Sequence, residues 1–136
     1  MQKKIPLLEI PGPSTSMYGE PLIRDNGEGG IILIFDQRTL EGENKRVKIT
    51  FTYNRAMQWR AEGHCTVWHI EGCYDTVVRV ENSEWIKSII NDVPDWYEQW
   101  KKDFILNHYM IYLDSFGCFE VIGDEVDMEI TKLDRA

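Results

Sequence analysis

The chain has little cysteine and no Cys-X-X-Cys pair. Its three cysteines, Cys65, Cys73 and Cys118, are an odd number at irregular spacing. A small secreted protein held together by disulfides has an even set of cysteines, so this pattern is typical of reduced thiols. We therefore expect a cytoplasmic protein whose thiols are buried and structural.

Basic residues are also few. The sequence has 15 Lys and Arg against 23 Asp and Glu, which gives a formal net charge of -8 and an isoelectric point near 4.8. Nucleic acids and anionic membranes carry the same sign of charge, so the sequence predicts binding to neither.

Long apolar runs are missing as well. The N-terminus begins like a signal peptide with Lys3 and Lys4, but Pro6 and Glu9 interrupt the apolar stretch that follows. No run approaches the roughly 18 apolar residues that a membrane-spanning helix needs. The sequence predicts no membrane association.

The composition that remains is that of one globular domain. The 136 residues are 43% hydrophobic and 28% charged, with 12% aromatics, which is typical of a folded soluble protein. We expect a single domain over residues 1–136. Within it, residues 11–30 are rich in proline and glycine and predict an irregular lead-in loop.

Strand patterns begin at residue 31. The apolar run Ile31 to Phe35 predicts a central strand buried on both faces. Residues 47–53 alternate between apolar and polar and predict a half-buried strand. Residues 65–70 and 74–80 predict a hairpin. Residues 104–113 and 118–122 predict a second hairpin, with the turn at residues 114–117. Residues 126–130 predict an edge strand.

Two helices are indicated between residues 82 and 100. Apolar residues from Trp85 to Ile90 recur at helical spacing after Asn82 and Ser83, either of which can cap the N-terminus. A second helix is predicted to begin near Pro94. Asp92 is its expected cap, and Trp96 and Trp100 are expected to face the sheet. These elements predict an α+β fold with a mainly antiparallel curved sheet or partial barrel of about seven strands and two short helices.

The most metal-like cluster consists of His64, Cys65, His69 and Cys73. If residues 64–70 are extended, Cys65 and His69 lie about 13 Å apart, which is too far for one ion. We therefore expect no metal and no cofactor. A nucleophile pair of Cys65 or Cys118 with His108 stays open, because such partners meet in space rather than in sequence.

No coherent catalytic set is present, so the sequence predicts a protein that is not an enzyme. An enzyme would require His108 or His64 to lie within about 3.2 Å of a cysteine or a carboxylate, in a cleft.

Charge is distributed unevenly along the chain. Residues 36–60 carry six basic side chains and three acidic ones, whereas residues 114–136 carry seven acidic side chains and two basic ones. If the two segments lie on different faces, an acidic face can steer a basic partner. The acidic segment supplies four predicted partner-binding residues, and the expected exposed apolar anchors are Trp59 and Met57. The four acidic residues are Asp124, Glu125, Asp127 and Glu129.

The order of these signals resembles a known group of proteins. His64-Cys65, Tyr74 to Val78, Val80 to Ile86 and Tyr109 to Ile122 are similar to segments of small uncharacterised proteins of Gram-positive bacteria. Some of those proteins are similar to immunity proteins of polymorphic toxin systems. The resemblance implies a cytoplasmic, non-enzymatic binder, and it implies no site residues.

Two functions remain as hypotheses. The first is a protein-binding module, such as an immunity protein that masks a basic toxin surface with its acidic face. The alternative is a domain that binds a small ligand on the concave side of the sheet, where Tyr53, Trp68 and Tyr112 would line the site.

Overall fold

The computed structural model describes residues 1–133, in which nine strands and three α-helices are formed. The strands are β1 (Lys3–Glu9), β2 (Met17–Asp25), β3 (Ile31–Arg38), β4 (Asn44–Phe51), β5 (Ala56–Arg60), β6 (Thr76–Glu81), β7 (Asn107–Leu113), β8 (Gly117–Gly123) and β9 (Val126–Lys132). The helices are α1 (Val67–Ile70), α2 (Glu84–Asp92) and α3 (Pro94–Trp100).

The strands form two sheets. The five-stranded sheet has the order β1-β6-β7-β8-β5, and the four-stranded sheet has the order β2-β3-β4-β9. All paired strands in both sheets are antiparallel. The predicted α+β class and the mainly antiparallel arrangement are confirmed.

The main core lies between the two sheets. Phe51 of the four-stranded sheet packs against Tyr109 and Phe119 of the five-stranded sheet, with ring centroids 5.9 Å apart in both pairs. Leu33 and Ile49 are fully buried in the same cluster. A second, smaller cluster covers the opposite face of the five-stranded sheet, where residues before and within α1 pack on β6, β7 and β8.

The alternation predicted for β4 is confirmed, because Val47, Ile49 and Phe51 are all buried. β3 lies inside its sheet, as predicted for a central strand. The expectation that both of its faces are buried is wrong. Leu33 and Phe35 are buried, whereas Ile32 and Ile34 are only half-buried. The reason is that α1 and α2, within residues 1–133, pack on β7 of the other sheet.

Both predicted helices are present. Ser83 caps α2 by accepting a hydrogen bond from the Ile86 backbone N–H at 3.1 Å. Asp92 does not cap α3, because the residue before that helix is Val93 and no side chain bonds its first turn.

Trp96 does not face the sheet and is 65% exposed. Trp100 contacts Phe104 and Arg55 instead.

Residues 11–30 are not a loop throughout. They contain a 3₁₀ turn at Ser14–Ser16 and the whole of β2. The sequence pattern therefore did not indicate three strands, β1, β2 and β5. Prolines hide the alternation in β1 and β2, because Pro6 lies inside β1 and Pro21 inside β2. Their pairing with β6 and β3 compensates for these breaks.

The predicted hairpin over residues 65–80 is half wrong. Residues 76–81 form β6, but residues 67–70 form α1. The His69 imidazole Nδ1 accepts a hydrogen bond from the Thr66 backbone N–H at 2.9 Å, as a Glu does in a capping box. Gly72 then turns the chain at a φ of 83°. Local capping by Thr66, the residue before the helix, thus outweighs the low helix propensity of Val67.

Lys4 holds α1 against β1. Its ammonium donates to the backbone oxygens of Trp68 and Glu71 and lies 4.2 Å from the centroid of the Trp68 ring. Both oxygens belong to the C-terminal end of α1, where a cation is favourable.

We expect Lys4→Met to lower the free energy of unfolding by about 2 kcal/mol, since charged hydrogen bonds are lost while the aliphatic stem stays. Urea denaturation measures this, with Lys3→Met as the control because Lys3 is exposed on the same strand. Equal stability of the two variants would show that Lys4 does not hold the helix.

Candidate functional site

The predicted metal-like cluster does not converge on one point. His64 is exposed, His69 is turned towards Thr66, and the Cys73 thiol donates to the His69 backbone oxygen at 3.1 Å. In residues 1–133 no three His, Cys, Asp or Glu side chains meet in a geometry that fits a metal ion. The separation comes from local turns and not from the extended chain that the sequence predicts.

Two of the three cysteines are buried, as predicted. Cys73 and Cys118 are inaccessible, whereas Cys65 is half-buried. A hydrogen bond with Cys118 lowers the pKa of Cys73, assisted by the Lys4 ammonium 3.6 Å from its sulfur. The same pairing and burial raise the pKa of Cys118. Their burial in the smaller core cluster makes them packing residues.

His108 lies in a buried chain of hydrogen bonds. Its Nε2 is 2.7 Å from Glu120 Oε1, and its Nδ1 is 2.7 Å from Ser83 Oγ. Gln58 donates to the other oxygen of Glu120 at 2.8 Å. A carboxylate only accepts, so the imidazole proton is assigned to Nε2, and Ser83 then donates to Nδ1. The side-chain nitrogens and oxygens of Ser83, His108 and Glu120 thus all have partners.

The contact required of an enzyme is therefore present between His108 and Glu120, but both side chains are buried and are not exposed in a cleft. Ser83, His108 and Glu120 are 4%, 3% and 5% exposed. Ser83 borders a shallow cavity of about 490 Å³, whereas His108 and Glu120 do not line it. Trp85 covers the imidazole with its ring centroid 5.2 Å away. The chain of hydrogen bonds joins α2 to β7, β8 and β5, and this arrangement supports a structural role.

The predicted apolar anchors are exposed. Met57 and Trp59 are 43% and 52% exposed and lie on β5. They pair with Val121 and Phe119 of β8, which belong to the core between the sheets. Residues directly opposite each other in a sheet share a face. Both anchors therefore point towards the gap between the two sheets.

At the border of this gap, between the β2 and β5 edges, lies a groove of about 720 Å³, which Trp59 lines and Met57 does not. We call it the β2/β5 groove. Its apolar lining residues are Met17, Pro21, Ile23, Trp59, Ala61 and Phe116. Three carboxylates, Glu20, Glu62 and Asp114, also line it, and none of its described lining residues is Lys, Arg or His. The groove thus combines an apolar surface with negative charge.

The acidic segment predicted to bind a partner lies elsewhere. Asp127 and Glu129 are on β9, where they pair with Thr50 and Lys48 of β4. The basic segment and the acidic segment are thus neighbours in one sheet and do not occupy opposite faces. Asp124 and Glu125 lie at the turn before β9. Asp134 and Arg135, which belong to the same charged segment, lie outside the described residues.

The three residues of the ligand-binding alternative are not brought to one cavity. Tyr53 is 49% exposed and contacts Phe104, and Trp68 lies in α1. Tyr112 is buried against Tyr74, and burial raises the pKa of its hydroxyl to about 12. The face between the sheets is filled by core side chains, so it offers these residues no common site.

Sequence reasoning missed the acidic lining of the groove and the His108–Glu120 pair. Glu20, Glu62 and Asp114 are far apart in the chain, and no local pattern links them. The His108–Glu120 pair, in contrast, could have been found from the register of the predicted hairpin. In the predicted β7-β8 hairpin, Met110 pairs with Glu120 and His108 is two residues away on the same face. A hairpin register therefore makes the two side chains diagonal neighbours.

Comparisons of the chain with protein-family models, with curated proteins and with solved structures find no significant match. Among the described residues, no helix has the length and apolar character needed to cross a membrane. The site's geometry is therefore the basis for a functional proposal.

Proposed function

We propose that this protein is a non-enzymatic protein-binding module whose binding surface is the β2/β5 groove. The observation that carries the proposal is Trp59, which is 52% exposed in a groove lined by three carboxylates. The partner presents a basic segment with an apolar side chain that packs on this ring.

Trp59 has the properties of a binding anchor. Its indole Nε1 donates to the Phe116 backbone oxygen at 2.9 Å, and its ring lies 5.7 Å from the Phe116 ring. The indole is therefore held in place before a partner arrives, which reduces the entropy lost on binding. Tryptophan is also enriched among the residues that dominate binding energy at interfaces.

Charge complementarity supports a basic partner. Glu20, Glu62 and Asp114 line the groove without a basic lining residue to neutralise them. Carboxylates around an apolar centre raise the association rate of a basic protein and disfavour an acidic one. The whole chain, with its net charge of -8, acts in the same direction.

A basic toxin domain is one partner with this chemistry, and some of the proteins that the sequence resembles are similar to immunity proteins of toxin systems. Such an immunity function needs only that the groove covers the toxin's basic surface in the cytoplasm. Asp127 and Glu129 contribute less in this proposal, because Lys48 lies beside them on the same sheet.

Trp59→Ala tests the proposal by affinity capture from the cells that make the protein. We expect the wild-type chain to capture a basic protein, and Trp59→Ala to bind that protein at least about tenfold more weakly, because an anchor ring is lost. Salt near 1 M should release the captured protein, because at this concentration attraction between charges more than about 3 Å apart is largely screened.

Trp96→Ala is the matched control, because Trp96 is an exposed tryptophan on α3, away from the groove. It should capture the same protein as the wild-type chain. Capture that is equal for Trp59→Ala and for the wild-type chain would refute the proposal.

A further inference from the structure

β5 is an edge strand of the five-stranded sheet. It pairs with β8 on one side, and within residues 1–133 no strand pairs with its other side. Its register with β8 is regular from Ala56 to Arg60. An unpaired edge presents backbone N–H and C=O groups that can pair with another chain.

The other edges carry features that oppose strand pairing. β1 contains Pro6 and a register shift next to it. β9 carries the outward charges Asp127 and Glu129. Proline, bulges and charges are the usual ways in which proteins block an edge. β5 has neither a proline nor a bulge, and its one charged residue, Arg60, is its last, so it is the least obstructed of the sheet edges described.

β2, on the opposite side of the groove, is also blocked. Its pairing with β3 is interrupted between Tyr18 and Leu22. That interruption contains Gly19, with a φ of 73°, and Pro21, which has no N–H to donate. A segment lying in the groove can therefore pair with β5 and not with β2.

We propose that the partner's segment binds as an extended strand that pairs with β5 and covers the β2/β5 groove. This inference rests on the proposed function and specifies the form of its partner. Backbone hydrogen bonds to β5 supply affinity, and the groove selects the side chains.

The groove's chemistry defines the side chains of the occupant. Successive side chains of a strand point to opposite faces. One set faces the apolar lining formed by Met17, Ile23 and Trp59. Within the same set, Lys or Arg side chains two residues away from an apolar one reach the carboxylates of Glu62 and Asp114, which line the same groove. The five residues of β5 match a segment about 17 Å long.

A displayed library of random nine-residue peptides tests this inference on the full chain. Peptides are selected on the wild-type protein after depletion on Trp59→Ala. We expect the selected peptides to have both apolar residues and Lys or Arg within one set of alternate positions, the set that faces the groove. Their affinity for Trp96→Ala should equal that for the wild-type protein.

Backbone methylation then separates strand pairing from other modes of binding. The best peptide is synthesised with a single N-methyl group at each position in turn, which leaves its side chains unchanged. Methylation at one set of alternate positions should weaken binding at least tenfold, and methylation at the other set should change it less than twofold. Amide exchange of residues 56–60 should slow on binding.

The outcomes distinguish the inference from the proposed function. A Trp59-dependent peptide that tolerates methylation at every position, and leaves exchange of residues 56–60 unchanged, overturns strand addition but keeps the groove as the binding surface. A selection that enriches no Trp59-dependent peptide contradicts both.

Discussion

Replacement of His108 by alanine is expected to lower the free energy of unfolding by about 3–5 kcal/mol. His108 bonds Glu120 and Ser83, and all three are at least 95% buried. Without the imidazole, the Glu120 carboxylate keeps only Gln58 as a side-chain partner. A buried charge that loses its partner is costly because no water replaces the lost hydrogen bond.

Urea denaturation measures this effect, with His64→Ala as the matched control. His64 is exposed, so its replacement should change stability by less than about 0.5 kcal/mol. The double variant His108→Leu/Glu120→Leu should cost less than the sum of the two single variants, because the buried charge and its partner leave together. A loss below about 1 kcal/mol for His108→Ala would contradict the structural role of the chain of hydrogen bonds.

Gly117→Ala is expected to destabilise the protein by about 3–5 kcal/mol. Gly117 has a φ of 114°, a conformation that alanine adopts only with strain. A Cβ atom there would lie 2.1 Å from the Arg60 backbone oxygen and 2.9 Å from the Glu62 nitrogen. Both contacts are with backbone at the end of β5, so the chain has to move to accept a methyl group.

The expected displacement is local to the groove. β5 and the residue after it carry Trp59 and Ala61, both of which line the groove. Gly117→Ala should therefore speed amide exchange in residues 56–62 more than in β3 and β4. Gly63→Ala is the control, because a Cβ atom at Gly63 meets no other atom within 4 Å. Unchanged stability of Gly117→Ala would show that β8 and β5 can separate without cost.

Elements with a strong local period were predictable from the sequence. Helix α2 has an apolar stripe and the Ser83 cap, and β4 has strict alternation. The β7-β8 hairpin has a turn at Asp114–Phe116 between two apolar strands. In each case the residues that determine the element are close in sequence, so a pattern can reveal it.

Elements that depend on distant partners were not predictable. β5 has no clear alternation, and it is a strand because β8 pairs with it. β1 and β2 contain prolines that a single-sequence pattern assigns to loops. α1 differs from these strands, because a local contact decides it. The capping interaction between Thr66 and His69 outweighs the extended pattern of residues 65–70. Competition between local preferences and long-range pairing decides such segments.

The sequence by itself determined the acidic character of the protein, the α+β class and the separate presence of Trp59, Glu20, Glu62 and Asp114. Only the tertiary structure decided that these side chains share a groove, and that Lys48 lies beside Glu129. The physical reason is that local periodicity reports which face of a strand is buried. Which strands meet is decided by pairing between segments far apart in the chain.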